Sequence, residues 1–87
     1  MTLLRLNEAA VSWQEVDGEI IALQHDSSEY LSTNGTGALI WKSLAKGASR
    51  EHLIGLIVRE FGIDRTRATE DTDAFLDTLC AHGLLAV

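Results

Sequence analysis

The sequence predicts an α+β domain in which a three-stranded antiparallel sheet is followed by three helices. Apolar residues recur with a period of two through the first third of the chain and with a period near 3.6 after Asn34. The switch falls inside one segment, Glu29 to Trp41, which marks a strand running into a helix. Strand and helix patterns are therefore segregated along the chain rather than alternating, which argues against parallel βαβ units.

The first strand, Val11–Val16, alternates around Trp13, and Ile20–His25 is a second strand-like run. Between them stands Val16-Asp17-Gly18-Glu19. An Asp-Gly pair favours a tight hairpin because both central residues need positive backbone angles, which Gly adopts freely and Asp tolerates. A turn at Asp26-Ser27-Ser28 returns the chain into Glu29–Thr33 and completes a meander. Paired in sequence order, this third strand has a neighbour on one side only. Its other row of backbone groups must be covered, blunted by short length, or used to receive an added strand. The side chain of Tyr30 then points either to the core or toward a groove beside the edge, since a shift of one residue exchanges the two faces.

Asn34 or Thr36 caps the first helix, whose apolar positions Ala38, Leu39, Ile40, Trp41 and Leu44 run to a stop at Lys46-Gly47. Gly35 and Gly37 lack the Gly-Lys-Ser/Thr ending of a phosphate loop, so they serve the sharp turn from strand to helix. Ser49 caps a second helix with a broad apolar set, Leu53, Ile54, Leu56, Ile57, Val58 and Phe61, and Gly62 ends it. Asp64 caps a third. There Ala68, Thr72, Phe75, Leu76 and Leu79 share one core-facing stripe, with Thr69, Asp73, Leu76 and Cys80 on one flank and Asp64, Asp71 and Thr78 on the other. Gly83 terminates this helix, and Leu84-Leu85 folds back over the core. At the other end, Met1 to Glu8 either frays or adds a strand through Leu3, Leu4 and Leu6.

Eighty-seven residues without proline, 46% of them hydrophobic, suit a single domain over residues 1–87 with an ordered core at about 11–85. One cysteine, Cys80, cannot form an internal disulfide. The first thirty residues do not combine a basic start, a long apolar core and a small-residue cleavage site, and no apolar run nears the roughly 20 residues of a membrane span. The expected setting is cytoplasmic, with no membrane partner. His25, His52 and His82 are scattered, and Cys80 and His82 lie two apart on a helix, roughly 200° from each other. The spacing thus offers no metal site, no cofactor site and no thiol beside a histidine base.

Thirteen acids against seven bases give a net charge of −6, which repels phosphate backbones and favours a basic peptide or protein. The third helix sets Arg65 and Arg67 against Glu70, Asp71, Asp73 and Asp77, the wrong balance for a DNA-recognition helix. Asp71 and Asp77 are candidates for an acidic rim that attracts Lys or Arg of a peptide.

The order strand, Asp-Gly turn, strand, short third strand, then Asn34-Gly35-Thr36-Gly37-Ala38-Leu39-Ile40-Trp41 resembles the PqqD-like family, the peptide-recognition domains of ribosomal peptide modification. Lys46-Gly47, Leu53, Ile57, Phe61, Asp71, Phe75-Leu76, Leu79 and Gly83-Leu84-Leu85 fit the same pattern, so the likeness covers Val11 to Leu85. It implies a winged helix-turn-helix that binds the leader segment of a precursor peptide, the leader adding a strand beside the third strand in a groove against the third helix. Carried over by position, the backbone of Ser28, Glu29, Tyr30, Leu31, Ser32 and Thr33 pairs with the leader, and Thr69, Thr72, Asp73 and Leu76 line the groove. A free-standing domain of this size is similar to the noncatalytic adaptors of lasso-peptide biosynthesis, whose partners are a leader peptidase and an ATP-dependent cyclase. A chaperone for the pyrroloquinoline quinone precursor and a winged-helix DNA-binding regulator are the alternatives. A homodimer through the open edge leaves the oligomeric state undecided.

Overall fold

The order of elements in the computed structural model, which describes residues 2–86, is β1 (Arg5–Leu6), β2 (Val11–Val16), β3 (Glu19–Gln24), β4 (Tyr30–Thr33), α1 (Gly35–Lys46), α2 (Arg50–Phe61), α3 (Arg65–Ala81) and β5 (Leu85–Ala86). The antiparallel meander β2-β3-β4 followed by three helices is the predicted architecture, a winged helix-turn-helix. The second strand starts one residue earlier than predicted and ends at Gln24, and the third starts at Tyr30.

Asp17 and Gly18 close the β2–β3 hairpin with φ of 52° and 81°, the two positive angles that the Asp-Gly pair predicts. The turn sets Val16 opposite Glu19 and with it the β2–β3 register, while the turn between Gln24 and Glu29 sets the β3–β4 register. Ile20, Ala22 and Gln24 of β3 are all buried, so this face of the sheet covers the helices while Ile21 and Leu23 face outward. Against the inner face stand Ile40, Trp41 and Leu44 of α1, Leu53, Ile54 and Ile57 of α2, and Ala68, Leu76 and Leu79 of α3. Trp13 meets Trp41 edge to face at 6.0 Å between ring centroids, joining β2 to α1.

The helices start and stop where their side chains dictate. Ser49 Oγ accepts from the His52 N–H at 3.1 Å, and Asp64 Oδ1 accepts from the Arg67 N–H at 2.8 Å. Gly62 ends α2 in the left-handed conformation. At α1 the cap position is Asn34, and its side chain makes no capping bond. Phe61, which the periodicity assigns to the apolar face of α2, is 43% exposed as the last residue of that helix.

The N-terminal segment forms a strand. β1 pairs with β5 antiparallel, Leu6 opposite Leu85, in a second, two-stranded sheet that the predicted single sheet lacks. Leu4 exchanges backbone hydrogen bonds with Ala48 at 2.8 and 3.0 Å, and the Asn7 N–H donates to the Leu84 carbonyl at 2.8 Å. The segment thus ties the α1–α2 turn to the C-terminal end, with Leu6 and Leu84 both buried. Met1 and Val87 lie outside the described residues.

Leu6 is 4% exposed and Leu3 49% exposed, which separates their expected roles. Leu6→Ala removes buried methyl groups and is expected to cost about 2–5 kcal/mol in a urea titration, whereas Leu3→Ala stays within about 0.5 kcal/mol. Equal and small effects at both positions would mean that β1 contributes nothing.

Candidate peptide-binding site

β4 is an edge strand: among the described residues it pairs with β3 only. The register places Leu31 opposite Ala22 and Thr33 opposite Ile20. The Gln24 N–H donates to the Glu29 carbonyl at 2.8 Å, while the His25 N–H turns the other way, to Ala10 at 2.9 Å. Antiparallel pairing alternates, so Leu31 and Thr33 spend their backbone groups on β3, and Tyr30 and Ser32 direct their N–H and C=O groups outward. Two neighbours are already engaged in the turn. The Ser28 N–H donates to the Gln24 carbonyl at 2.9 Å, with Ser28 at a φ of 58°, and the Glu29 N–H donates to Ser27 Oγ at 3.3 Å. Of the six predicted backbone positions, only Tyr30 and Ser32 therefore offer both groups to an incoming strand.

Beside the C-terminal end of this edge lies a hollow of about 380 Å³. Its strand side is Thr33 with Asn34, its floor Thr36 and Gly37 of α1, and its far wall Asp71, Ala74, Phe75 and Thr78 of α3. Gly37 is the close approach that forms it. A Cβ built there would overlap Thr33 Oγ1 and come within 3.0 Å of Phe75 Cε1. Of the two glycines, Gly35 supplies the turn, at a φ of 58°, and Gly37 lets three elements meet.

This hollow is walled by the flank of α3 opposite to the one that the resemblance implies for the peptide groove. None of Thr69, Thr72, Asp73 and Leu76 lines the hollow. Thr72 and Leu76 are buried, Thr72 with its hydroxyl unpartnered. The Thr69 hydroxyl donates to the Arg65 carbonyl at 2.7 Å, in a separate shallow depression with Thr66 and Glu70. Asp73 faces α2, where Arg50 grips it with two hydrogen bonds of 2.7 and 2.8 Å. Helical spacing distinguishes two flanks but not which of them a neighbour covers. Here α2 covers the Asp73 flank and leaves Asp71 and Thr78 to the groove. Of the two rim candidates, Asp71 belongs to the hollow, 3.9 Å from Arg67, and Asp77 stands exposed outside it. Phe75, assigned to the core stripe, is half-buried and shared between core and groove.

Tyr30 goes to neither of its predicted places. Opposite Leu23, it stands 75% exposed on the outer face of the sheet, where it borders Ser12, Gln14, Ile21 and Leu23. Cys80 is exposed at the far end of α3. Among the described residues no three His, Cys, Asp or Glu side chains converge to hold a metal, and no helix is long and apolar enough to cross a membrane.

The family model described as coenzyme PQQ synthesis protein D (PqqD) matches residues 19–85. Among solved structures, TbiB1 in complex with the TbiA(beta) leader peptide superposes with a TM-score of 0.86 at 27% identity, over 93% of each chain. Lasso peptide synthetase B1 complexed with the leader peptide superposes at 0.83 with 28% identity, over 97% of this chain and 98% of that one. No curated protein sequence matches significantly.

Gly37→Ala is expected to force Thr33 and Phe75 apart, at a cost of about 1–3 kcal/mol that exceeds the gain in helix propensity of about 1 kcal/mol. Adding Thr33→Ala removes the hydroxyl in the clash, so a double-mutant cycle by chemical denaturation should show partial rescue; strict additivity would mean that the approach carries no strain.

A second expectation concerns pH. The hydrogen bonds from Arg50 hold the Asp73 carboxyl below the usual carboxylate range. A depressed folded value makes the pair stabilising above the unfolded carboxylate pKa of about 4, and this is lost as pH falls through the lower folded value. The stability difference between the wild type and Asp73→Asn should therefore be small, present at neutral pH and gone in acid, as read from denaturation midpoints between pH 7 and 2. A difference that grows in acid would contradict the pairing.

Proposed function

Because the chain belongs to the PqqD family, we propose that it is a noncatalytic adaptor that binds the leader segment of a ribosomally made precursor peptide and presents it to maturation enzymes. The observation that carries this reading is the open side of β4, with the Tyr30 and Ser32 backbone groups directed outward beside the Phe75 hollow. An extended peptide can satisfy both residues with main-chain hydrogen bonds, and alternate side chains of an added strand point to opposite faces. One set then enters the hollow over Phe75, with Asp71 at its rim, and the other lies on the outer sheet face beside Tyr30 and Ile21. Apolar leader residues in the hollow supply most of the affinity, and a basic residue near Asp71 mainly accelerates association.

The two leader-bound structures, matched along nearly the whole chain, favour the lasso-peptide pathway, with a leader peptidase and an ATP-dependent cyclase as the receiving enzymes. The family description favours a second reading, a chaperone for the precursor of pyrroloquinoline quinone. Both share the same edge. The net charge of −6 and the acidic residues of α3 weigh against binding duplex DNA. An exposed free thiol at Cys80 suits a reducing cytoplasm.

The register makes proline a selective probe of the edge. Ser32→Pro removes an outward N–H while sparing the β3–β4 ladder, so leader binding by calorimetry should fall at least about tenfold with the circular dichroism spectrum near native. Leu31→Pro removes a donor to β3 and should lower the thermal midpoint itself. Undiminished leader affinity in the folded Ser32→Pro protein would refute strand addition at β4, and steep, salt-sensitive duplex binding by the wild type would favour the DNA reading instead.

A further inference from the structure

Four of the seven Lys and Arg residues pair with carboxylates: Lys42 with Glu15, Arg50 with Glu51 and Asp73, Arg65 with Glu51, and Arg67 with Asp71. Arg5, Lys46 and Arg59 have no such partner among the described residues, and two of these three meet at the seam between α1 and α2. Lys46 lines a hollow of about 440 Å³ there, together with Lys42 and His52, over the half-buried side chains of Leu39 and Leu56. Arg5 reaches the same seam, donating to the Lys46 carbonyl at 3.3 Å and lying against Gly47. No acid lines this hollow, although the chain carries 13.

Its position in the fold is as telling as its charge. Leu39, Lys42 and Lys46 share one face of α1, roughly 140–180° around the helix from Gly37 at 100° per residue. The peptide groove and the basic seam therefore open on opposite sides of α1.

We propose that the α1–α2 seam is a docking surface for the receiving enzyme, which presents an apolar side chain flanked by carboxylates. Leu39 and Leu56 take the apolar anchor, Lys46 and His52 meet the acids, and Lys42 stays with Glu15 at the margin of the seam. The inference rests on the adaptor reading, since an adaptor must touch its peptide and the enzyme at once, without competition between them. Charge complementarity selects the occupant: an acidic segment is repelled by most of this surface and accepted at the seam.

The test is titration of the leader-loaded full chain with the leader peptidase of the same pathway, for wild type, Lys46→Glu/His52→Glu and the milder Lys46→Gln/His52→Gln. Circular dichroism establishes that each variant is folded. The expected result is peptidase binding weakened at least about tenfold by the Glu pair and less by the Gln pair, with leader affinity within about twofold of wild type. Rising salt should weaken the wild-type complex, leave the Gln variant's residual binding nearly flat and strengthen the Glu variant's as like-charge repulsion is screened. Unchanged peptidase affinity in both variants overturns the proposal. So does a variant effect confined to self-association in sedimentation, which would assign the seam to a second copy, or one confined to a duplex DNA probe. Leader affinity of the wild type is read separately, so failure of the adaptor reading would appear there and not in the peptidase titration.

Discussion

The absence of a side chain at Gly37 is the constraint on which the hollow beside β4 depends. There the end of β4, the first turn of α1 and Phe75 of α3 come together more closely than any Cβ permits. This contact sets the distance between an open strand and a helix wall, and hence the width of the groove. Without it, β4 would still be an edge strand, but one exposed to solvent with no wall beside it. The rest of the architecture holds the contact in place. The turn between Gln24 and Glu29 sets the register that brings Thr33 opposite Ile20, and the Arg50–Asp73 pair ties the opposite flank of α3 to α2.

An open edge is a hazard as well as a candidate binding site, because unpaired backbone groups recruit strands indiscriminately. β4 limits that hazard by being four residues long, with its C-terminal end turned at once into α1 and its N-terminal end occupied by the Ser28 turn. Two outward-facing residues give few main-chain bonds. The hydrogen bonds can hold a peptide in register, but discrimination has to come from side chains on the two faces that flank the edge, the Phe75 hollow and the Tyr30 surface. The second sheet, β1 with β5, stands apart from this edge. It joins the chain ends to the α1–α2 turn and leaves β4 free.

Much of the fold was legible because it depends on local chemistry. The Asp-Gly hairpin, the Ser49 and Asp64 caps and the Gly62 stop are each decided within a few residues, and the structure shows every one. The third strand as an edge followed from the order of strands alone. The pairing of β1 with β5 joins residues about 80 positions apart, and no local pattern at Arg5-Leu6 or Leu85-Ala86 specifies that partner.

By itself the sequence determined the order and type of the elements from β2 to α3, the acidic character of α3 and the family pattern around Asn34 to Trp41, all of which rest on periodicity, turn chemistry and composition. Only the tertiary structure decided which side chains of α3 line the hollow beside β4. Helical spacing marks two flanks on α3 without ranking them, and the choice fell to α2, whose Arg50 claims Asp73 and leaves Asp71, Phe75 and Thr78 to the groove. Alternation along β4 likewise defines two faces without saying which one is inward. The β3 register put Leu31 and Thr33 on the core side and sent Tyr30 outward, because a pairing between strands is a relation between distant residues that neither strand encodes alone.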